Sequence, residues 1–217
     1  MIKGFLFDLD GVIVDTAVYH YAAWKKMANQ LGFDIDEEFN ETLKGISRMD
    51  SIARILEYGK MELPEERILE LATLKNDWYV EMIDQMTEEN ILPGITDLIA
   101  QIKENGLKMA LGSASKNAPR ILDRIGLASF FDAVVDGNSV SKSKPDPEVF
   151  IKGAEALELK NEECVVVEDA FAGIEAAHAA GMKAIGIGTT ENLPNADLIL
   201  TSFEGVDLQD LIDQKLS

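Results

Sequence analysis

The chain has 217 residues, 47% of them hydrophobic, enough for one sizeable core and a smaller second one. Against 39 acidic side chains stand 20 basic ones, and a formal net charge of −19 repels nucleic acid and anionic membranes while being compatible with a monomer. A single cysteine, Cys164, excludes an intramolecular disulfide, and neither a signal-peptide pattern nor a run of membrane-spanning length is present, so a cytoplasmic globular protein is expected.

Phe5-Leu6-Phe7 reads as a strand buried on both faces, and it runs into Asp8-Leu9-Asp10-Gly11. Residues two apart in an extended segment point the same way, so Asp8 and Asp10 can face one site, and Gly11 lets the chain turn after them. From Thr16 the pattern is helical for some seventy residues. Tyr21, Trp24, Ala28 and Leu31 recur at helical spacing, with Asp15 or Thr16 available as N-cap and Gly32 as terminator. Further helices are expected over Glu37–Leu43, Asp50–Tyr58 and Pro64–Met86.

From Ile91 onward helices and strands alternate. Ile95–Glu104, Pro119–Ile125, Pro147–Leu157 and Ala172–Ala180 are predicted helices, and Leu208–Lys215 a closing one. In the third, Asp146 is placed at the N-cap and Pro147 in the first turn. The predicted strands are Leu107–Gly112, Ala133–Val135, Val165–Val167, Ala184–Ile187 and Leu198–Leu200. Strands joined by crossover helices imply an α/β, doubly wound parallel sheet of Rossmann-like type, with the early helices inserted as a cap. The expected division is 1–15 with 88–217 as core and 16–87 as cap. A cap joined by two crossings can swing over the sheet edge and exclude water.

Four loops that follow strands carry polar side chains: Asp8 and Asp10; Ser113, Ser115 and Lys116; Lys144 in Lys142-Ser143-Lys144-Pro145; and Glu168 with Asp169. In a parallel sheet these loops emerge at one edge, where ligands bind. The carboxylates form an oxygen-rich anionic group suited to Mg²⁺, although Asp169 would serve equally as a helix N-cap. Ser113 and the amides after it suit phosphate oxygens at a helix start. Lys142 rivals Lys144 as the neutralising cation, and Pro145 favours Lys144 by stiffening the chain.

Asp8-Leu9-Asp10-Gly11-Val12-Ile13-Val14-Asp15-Thr16 resembles the first motif of the haloacid dehalogenase superfamily of phosphotransferases, and the other three motifs follow in order. Leu43-Lys44-Gly45-Ile46-Ser47-Arg48, the Thr16/His20/Trp24 run and Ser113-Ala114-Ser115-Lys116-Asn117 narrow the resemblance to the β-phosphoglucomutase family. That family interconverts β-glucose 1-phosphate and glucose 6-phosphate through β-glucose 1,6-bisphosphate. The resemblance implies that Asp8 is the phosphorylated nucleophile and Asp10 the general acid/base. It implies Mg²⁺ on Asp8, the Asp10 carbonyl, Glu168 and Asp169. Ser113, the Ala114 amide and Lys144 would hold the transferring phosphate, and Arg48 with Ser115, Lys116 and Asn117 the other one.

By the same resemblance Gly45, Ile46 and Ser47 approach the sugar, and Thr16 and His20 couple Asp10 to cap closure. Trp24 is cap core or borders the sugar; Trp78 is cap core. Lys75 lies near the centre of an apolar stripe (Ile68, Leu71, Ala72, Tyr79, Met82), from which it either snorkels to the surface or reaches the substrate. Arg48 alone reads as a solvated arginine, and His178 has no partner in view. Two rivals to the mutase remain: a sugar-phosphate phosphatase on the same scaffold, and a non-catalytic sugar-phosphate sensor.

Overall fold

A computed structural model describes residues 1–44 and 46–215. Six strands, β1 (Gly4–Phe7), β2 (Lys108–Gly112), β3 (Ala133–Val135), β4 (Cys164–Glu168), β5 (Lys183–Ile187) and β6 (Leu198–Leu200), form one parallel sheet ordered β3-β2-β1-β4-β5-β6. Alternation along the strands splits their side chains between two apolar layers. Phe5, Phe7, Met109, Leu111, Val165, Val167 and Ile185 face one layer, covered by α5 (Ile95–Glu104), α6 (Ala118–Arg124) and α9 (Leu208–Asp210). Leu6, Ala110, Val166 and Ala184 face the other, covered by α7 (Glu148–Ala156) and α8 (Phe171–Ala179). Helices on both faces explain why β1 and β4 are apolar throughout until their ends.

The strand order reverses at β1, which pairs with β2 on one side and β4 on the other. The crevice beyond the carboxyl ends of β1 and β4 is therefore the switch point where such sheets bind ligands.

Between β1 and β2 are inserted α1 (Ala17–Gln30), α2 (Glu37–Glu41), α3 (Arg48–Tyr58) and α4 (Glu65–Ile83). Trp24, Met27, Ala28, Ile35, Ile52, Ile55, Leu71 and Ala72 give this cap its own apolar core. The lower half of α4 belongs elsewhere: Tyr79 and Ile83, with Ala23 of α1, join the layer that contains Val12, Ile13 and Val14. The two chain crossings lie side by side, with Val14 bridged to Ile91 and the Leu92 amide donating to the Ile13 carbonyl at 2.8 Å. Just before the second crossing, Arg120 of α6 holds Asp84 with two hydrogen bonds of 2.7 and 2.6 Å, and Arg124 adds a third at 3.1 Å.

The predicted elements are all present, with shifted ends. Asp15 accepts from the Ala17 amide at 3.0 Å, while Thr16 stands at the N-cap without a capping bond of its own. In α7 the cap is Pro147, not Asp146. Asp146 lies one residue further out and accepts from the Glu148 amide at 3.1 Å, an Asx turn that leads into the helix. The closing helix has the expected span, but after Asp210 it widens from an α-helix into a π-helix over Leu211–Lys215. Cys164 is a buried thiol at the start of β4, as a small hydrophobe should be. Among the described residues no helix is long and apolar enough to cross a membrane.

Ile55 is fully buried in the cap core. Ile55→Ala should lower stability by about 2–5 kcal/mol in urea unfolding, through lost burial and the cavity left behind.

Candidate active site

A cleft of about 1020 Å³ lies between the cap and the carboxyl edge of the sheet. Its floor is built where β1 and β4 end. The Asp8 amide bonds the Val167 carbonyl at 2.9 Å, which carries the β1–β4 pairing one residue beyond the strand and anchors the backbone of the first carboxylate. Gly11, at φ +76°, then turns the chain; a Cβ there would lie 2.0 Å from Asp169 Oδ2. Gly173 of α8 is needed for closeness too, because its Cβ would overlap the Glu168 carboxylate at 1.9 Å.

Asp8 and Glu168 are buried, and Lys144 Nζ bridges them at 2.6 and 2.5 Å. Burial opposes the charge on Lys144, but the two carboxylates outweigh it and raise its pKa. Burial also raises the pKa of Glu168, against the pull of Lys144, and that of Asp169, with Asp8 adding repulsion. The two lysines are placed differently: Lys142 is exposed at the cleft and pairs with Asp146 at 3.2 Å, while Lys144 is buried against Asp8 and Glu168.

Ligand oxygens of Asp8, Glu168 and Asp169 lie within 4.8 Å of one another. With Asp10 beside them, four carboxylates meet two lysines: Lys144, and Lys44, whose Nζ is 3.4 Å from Asp169 Oδ2. An all-oxygen donor set with unbalanced negative charge fits a hard divalent cation such as Mg²⁺. The Asp10 side chain is outside this cluster, which is compatible with a contribution from its carbonyl alone.

Asp10 accepts from the Thr16 hydroxyl, and Tyr79 Oη donates to Thr16 Oγ1 at 3.2 Å. Burial, then repulsion by Asp8, pushes the Asp10 pKa up to about 7; Thr16, Lys144 and Lys75 pull the other way. The His20 ring packs tilted against that of Tyr79 with centroids 4.1 Å apart, and its Nδ1 is 2.8 Å from Lys75 Nζ. Lys75 does not snorkel. It is 2% exposed, with its ammonium 4.2 Å from the Trp24 ring centroid and 4.8 Å from that of Tyr79. Burial and the nearby Arg48 push its pKa down to about 7 and hold that of His20 well below the usual imidazole value, through burial first and then Lys75.

Ser113 is buried at the end of β2, and its Oγ accepts the Ser115 amide at 3.1 Å; Ser115 Oγ in turn accepts the Asn117 amide at 3.2 Å. These turns present Ala114, Ser115, Lys116 and Asn117 to the cleft. From the cap come Ile46, Ser47, Arg48 and Trp24. Ser47 caps α3 by accepting the Asp50 amide, and Asp50 is tied across the cleft to Ser143 at 2.8 Å. Arg48 is not the solvated arginine of the plain reading: it is half-buried and bonds Asn76 at 2.7 Å. Gly45 lies outside the described residues. All the other residues expected at the site line this cleft, except Thr16 and Glu168, which support its floor.

His178 sits apart from the cleft and does have a partner, Asp197, at 2.9 Å; Asp197 also accepts the Ala184 amide, so the pair pins α8 to β5. Sequence reasoning passed over Tyr79, whose hydroxyl is hidden in an apolar stripe, and Asn76, which carries no signal at all. It quoted Lys44 within a motif without giving it a task; its position beside a glycine in a cap loop was the only cue.

The model of the haloacid dehalogenase-like hydrolase family matches residues 5–187. The β-phosphoglucomutase of Bacillus subtilis is 42% identical over 95% of this chain and 92% of its own length. A fructose-1-phosphate phosphatase of Escherichia coli is 32% identical over 85% of this chain and 95% of its own. A crystal structure of β-phosphoglucomutase from Clostridium difficile has a TM-score of 0.96 at 44% identity, covering 100% of this chain and 98% of that one. The chain belongs to the haloacid dehalogenase-like hydrolase family, and within it to the β-phosphoglucomutase group.

Proposed function

We propose that this protein is a β-phosphoglucomutase, an isomerase that interconverts β-D-glucose 1-phosphate and D-glucose 6-phosphate through a phosphorylated Asp8 and a β-glucose 1,6-bisphosphate intermediate. The observation that carries this reading is the pairing of two cationic grips in one cleft. Lys144 stands beside Asp8, and Arg48, with Lys116 and Asn117, lines the same cleft. A sugar phosphorylated at both ends needs both grips, whereas hydrolysis of one phosphate needs only the first.

Asp8 attacks phosphorus in line while the bond to the sugar oxygen breaks, and Asp10 protonates that oxygen. In the reverse half-reaction Asp10 takes the proton of the acceptor hydroxyl, which attacks phospho-Asp8 and frees the carboxylate. A carboxyl group with a pKa of about 7 suits both directions near neutral pH. Thr16 orients Asp10, and His20 with Lys75 carries the same arrangement into the cap. Ser113, Ala114 and Lys144 hold the phosphoryl group in transit. Asp8, Glu168, Asp169 and the Asp10 carbonyl would hold Mg²⁺, which supplies charge neutralisation and alignment of the phosphate. Residues 16–87 act as the cap, closing out water and leaving the bisphosphate room to turn around; 1–15 and 88–217 form the core. The substrate is a small sugar phosphate, with no role for nucleic acid or membrane.

Phosphorus NMR of β-glucose 1-phosphate with the protein, Mg²⁺ and a trace of β-glucose 1,6-bisphosphate should give glucose 6-phosphate without comparable inorganic phosphate. Inorganic phosphate as the main product would make the protein a phosphatase. Asp8→Asn should abolish phosphoenzyme formation, read by intact-protein mass; a phosphorylated, active variant would refute the nucleophile assignment. Lys75→Met separates stability from activity. Between pH 7 and the ordinary lysine value of 10.5 the unfolded chain binds the extra proton, so the penalty of burying Lys75 is full below pH 7 and fades as pH rises. The variant should therefore be more stable than wild type, by on the order of a few kcal/mol at pH 7 and by less at pH 10, while losing mutase activity. Equal stabilities at pH 7 would contradict the buried-amine account.

A further inference from the structure

Asn76 sits on the face of α4 that looks into the cleft, next to Lys75 in sequence and half-buried. Its Oδ1 accepts two hydrogen bonds, from Arg48 NH2 at 2.7 Å and from Asn117 Nδ2 at 2.9 Å. A guanidinium only donates, so Asn76 must turn its oxygen to Arg48, and the atom that Asn117 turns to that oxygen must then be its nitrogen. One neutral acceptor thus fixes the orientation of two groups that come from opposite walls, Arg48 at the start of α3 and Asn117 at the start of α6. Arg48 has five N–H donors, and the bond to Asn76 uses one, leaving the rest of the fork for an anion. A neutral amide orients the cation without neutralising it, which a carboxylate at the same place would do.

We propose that Asn76 is the positioning residue of the second phosphate grip: it holds Arg48 and Asn117 in register across the cleft, and thereby sets the affinity for sugars phosphorylated at the end remote from Asp8. This rests on the mutase reading above. It assigns Asn76 no contact with the reacting phosphoryl group, so its effect is confined to ligands that carry a remote phosphate. Preorganisation of this kind appears in binding more than in the chemical step.

The test compares two phosphoryl donors on the Mg²⁺-loaded protein. Acetyl phosphate has a single phosphate and reports on Asp8 and its neighbours alone; β-glucose 1,6-bisphosphate needs both grips. Asn76→Asp, which keeps shape and adds a charge that pairs with Arg48, should raise KM for the bisphosphate at least tenfold. Asn76→Ala, which adds no repulsion, should raise it at least threefold. In both, kcat/KM for acetyl phosphate should stay within twofold of wild type. An unchanged KM in either variant, or an equal loss with both donors, would overturn the proposal. A wild-type protein that consumes acetyl phosphate but gains nothing from the second phosphate of the sugar would instead sink the mutase reading, and the two failures are distinguishable.

Discussion

The constraint on which this molecule depends is the crowding of negative charge where β1 and β4 end. Asp8 and Glu168 are buried within reach of one ammonium group, with Asp10 and Asp169 beside them. Left alone, such a group would take up protons. Lys144 from the loop before α7, Lys44 from the cap and Thr16 at the start of α1 each meet one part of that demand. Even the two glycines that touch the carboxylates, Gly11 and Gly173, are there because nothing larger fits. The sheet supplies a rigid platform, and its loops supply the compensation.

Charge of this kind is legible in a sequence because it violates the pattern around it. Asp8 and Asp10 end an apolar strand, and Glu168-Asp169 end another, so their convergence follows from parallel topology alone. The layered core is readable for the same reason: two-residue alternation in β1 and β4 puts Phe5 and Phe7 on one side and Leu6 on the other. What escaped is the set of contacts that depend on tertiary geometry. Tyr79 has the spacing of a core residue and is one, yet its hydroxyl meets Thr16. Lys75 looked divided between surface and site, and only the positions of Trp24, Tyr79 and His20 decide it. The shift of the α7 cap from Asp146 to Pro147 is a boundary effect of one residue.

The cap meets the core across the cleft through side chains: Lys44 to Asp169, Asp50 to Ser143 and Asn76 to Asn117. None of these contacts is apolar, so each exchanges partners easily with water or with a ligand oxygen. The apolar attachment lies elsewhere, in the buried end of α4, beside which Arg120 and Arg124 bond Asp84 at the surface.

The side-by-side crossings at Val14 and Ile91 carry a consequence for how such a chain can diversify. A segment that leaves and returns at one hydrogen-bonded point is, to the sheet, a long loop, and the entropy of closing it grows only slowly with its length. The helices beyond that point are therefore an exchangeable module whose replacement need not disturb Asp8. The module has a root, however. Tyr79, Ile83 and Met86 share one apolar layer with Val12, Ile13 and Val14, so a graft that discarded the base of α4 would open the layer behind the segment that follows Asp8. Change is thus channelled into α3 and the outer turns of α4, while the inner end of α4 is inherited with the sheet.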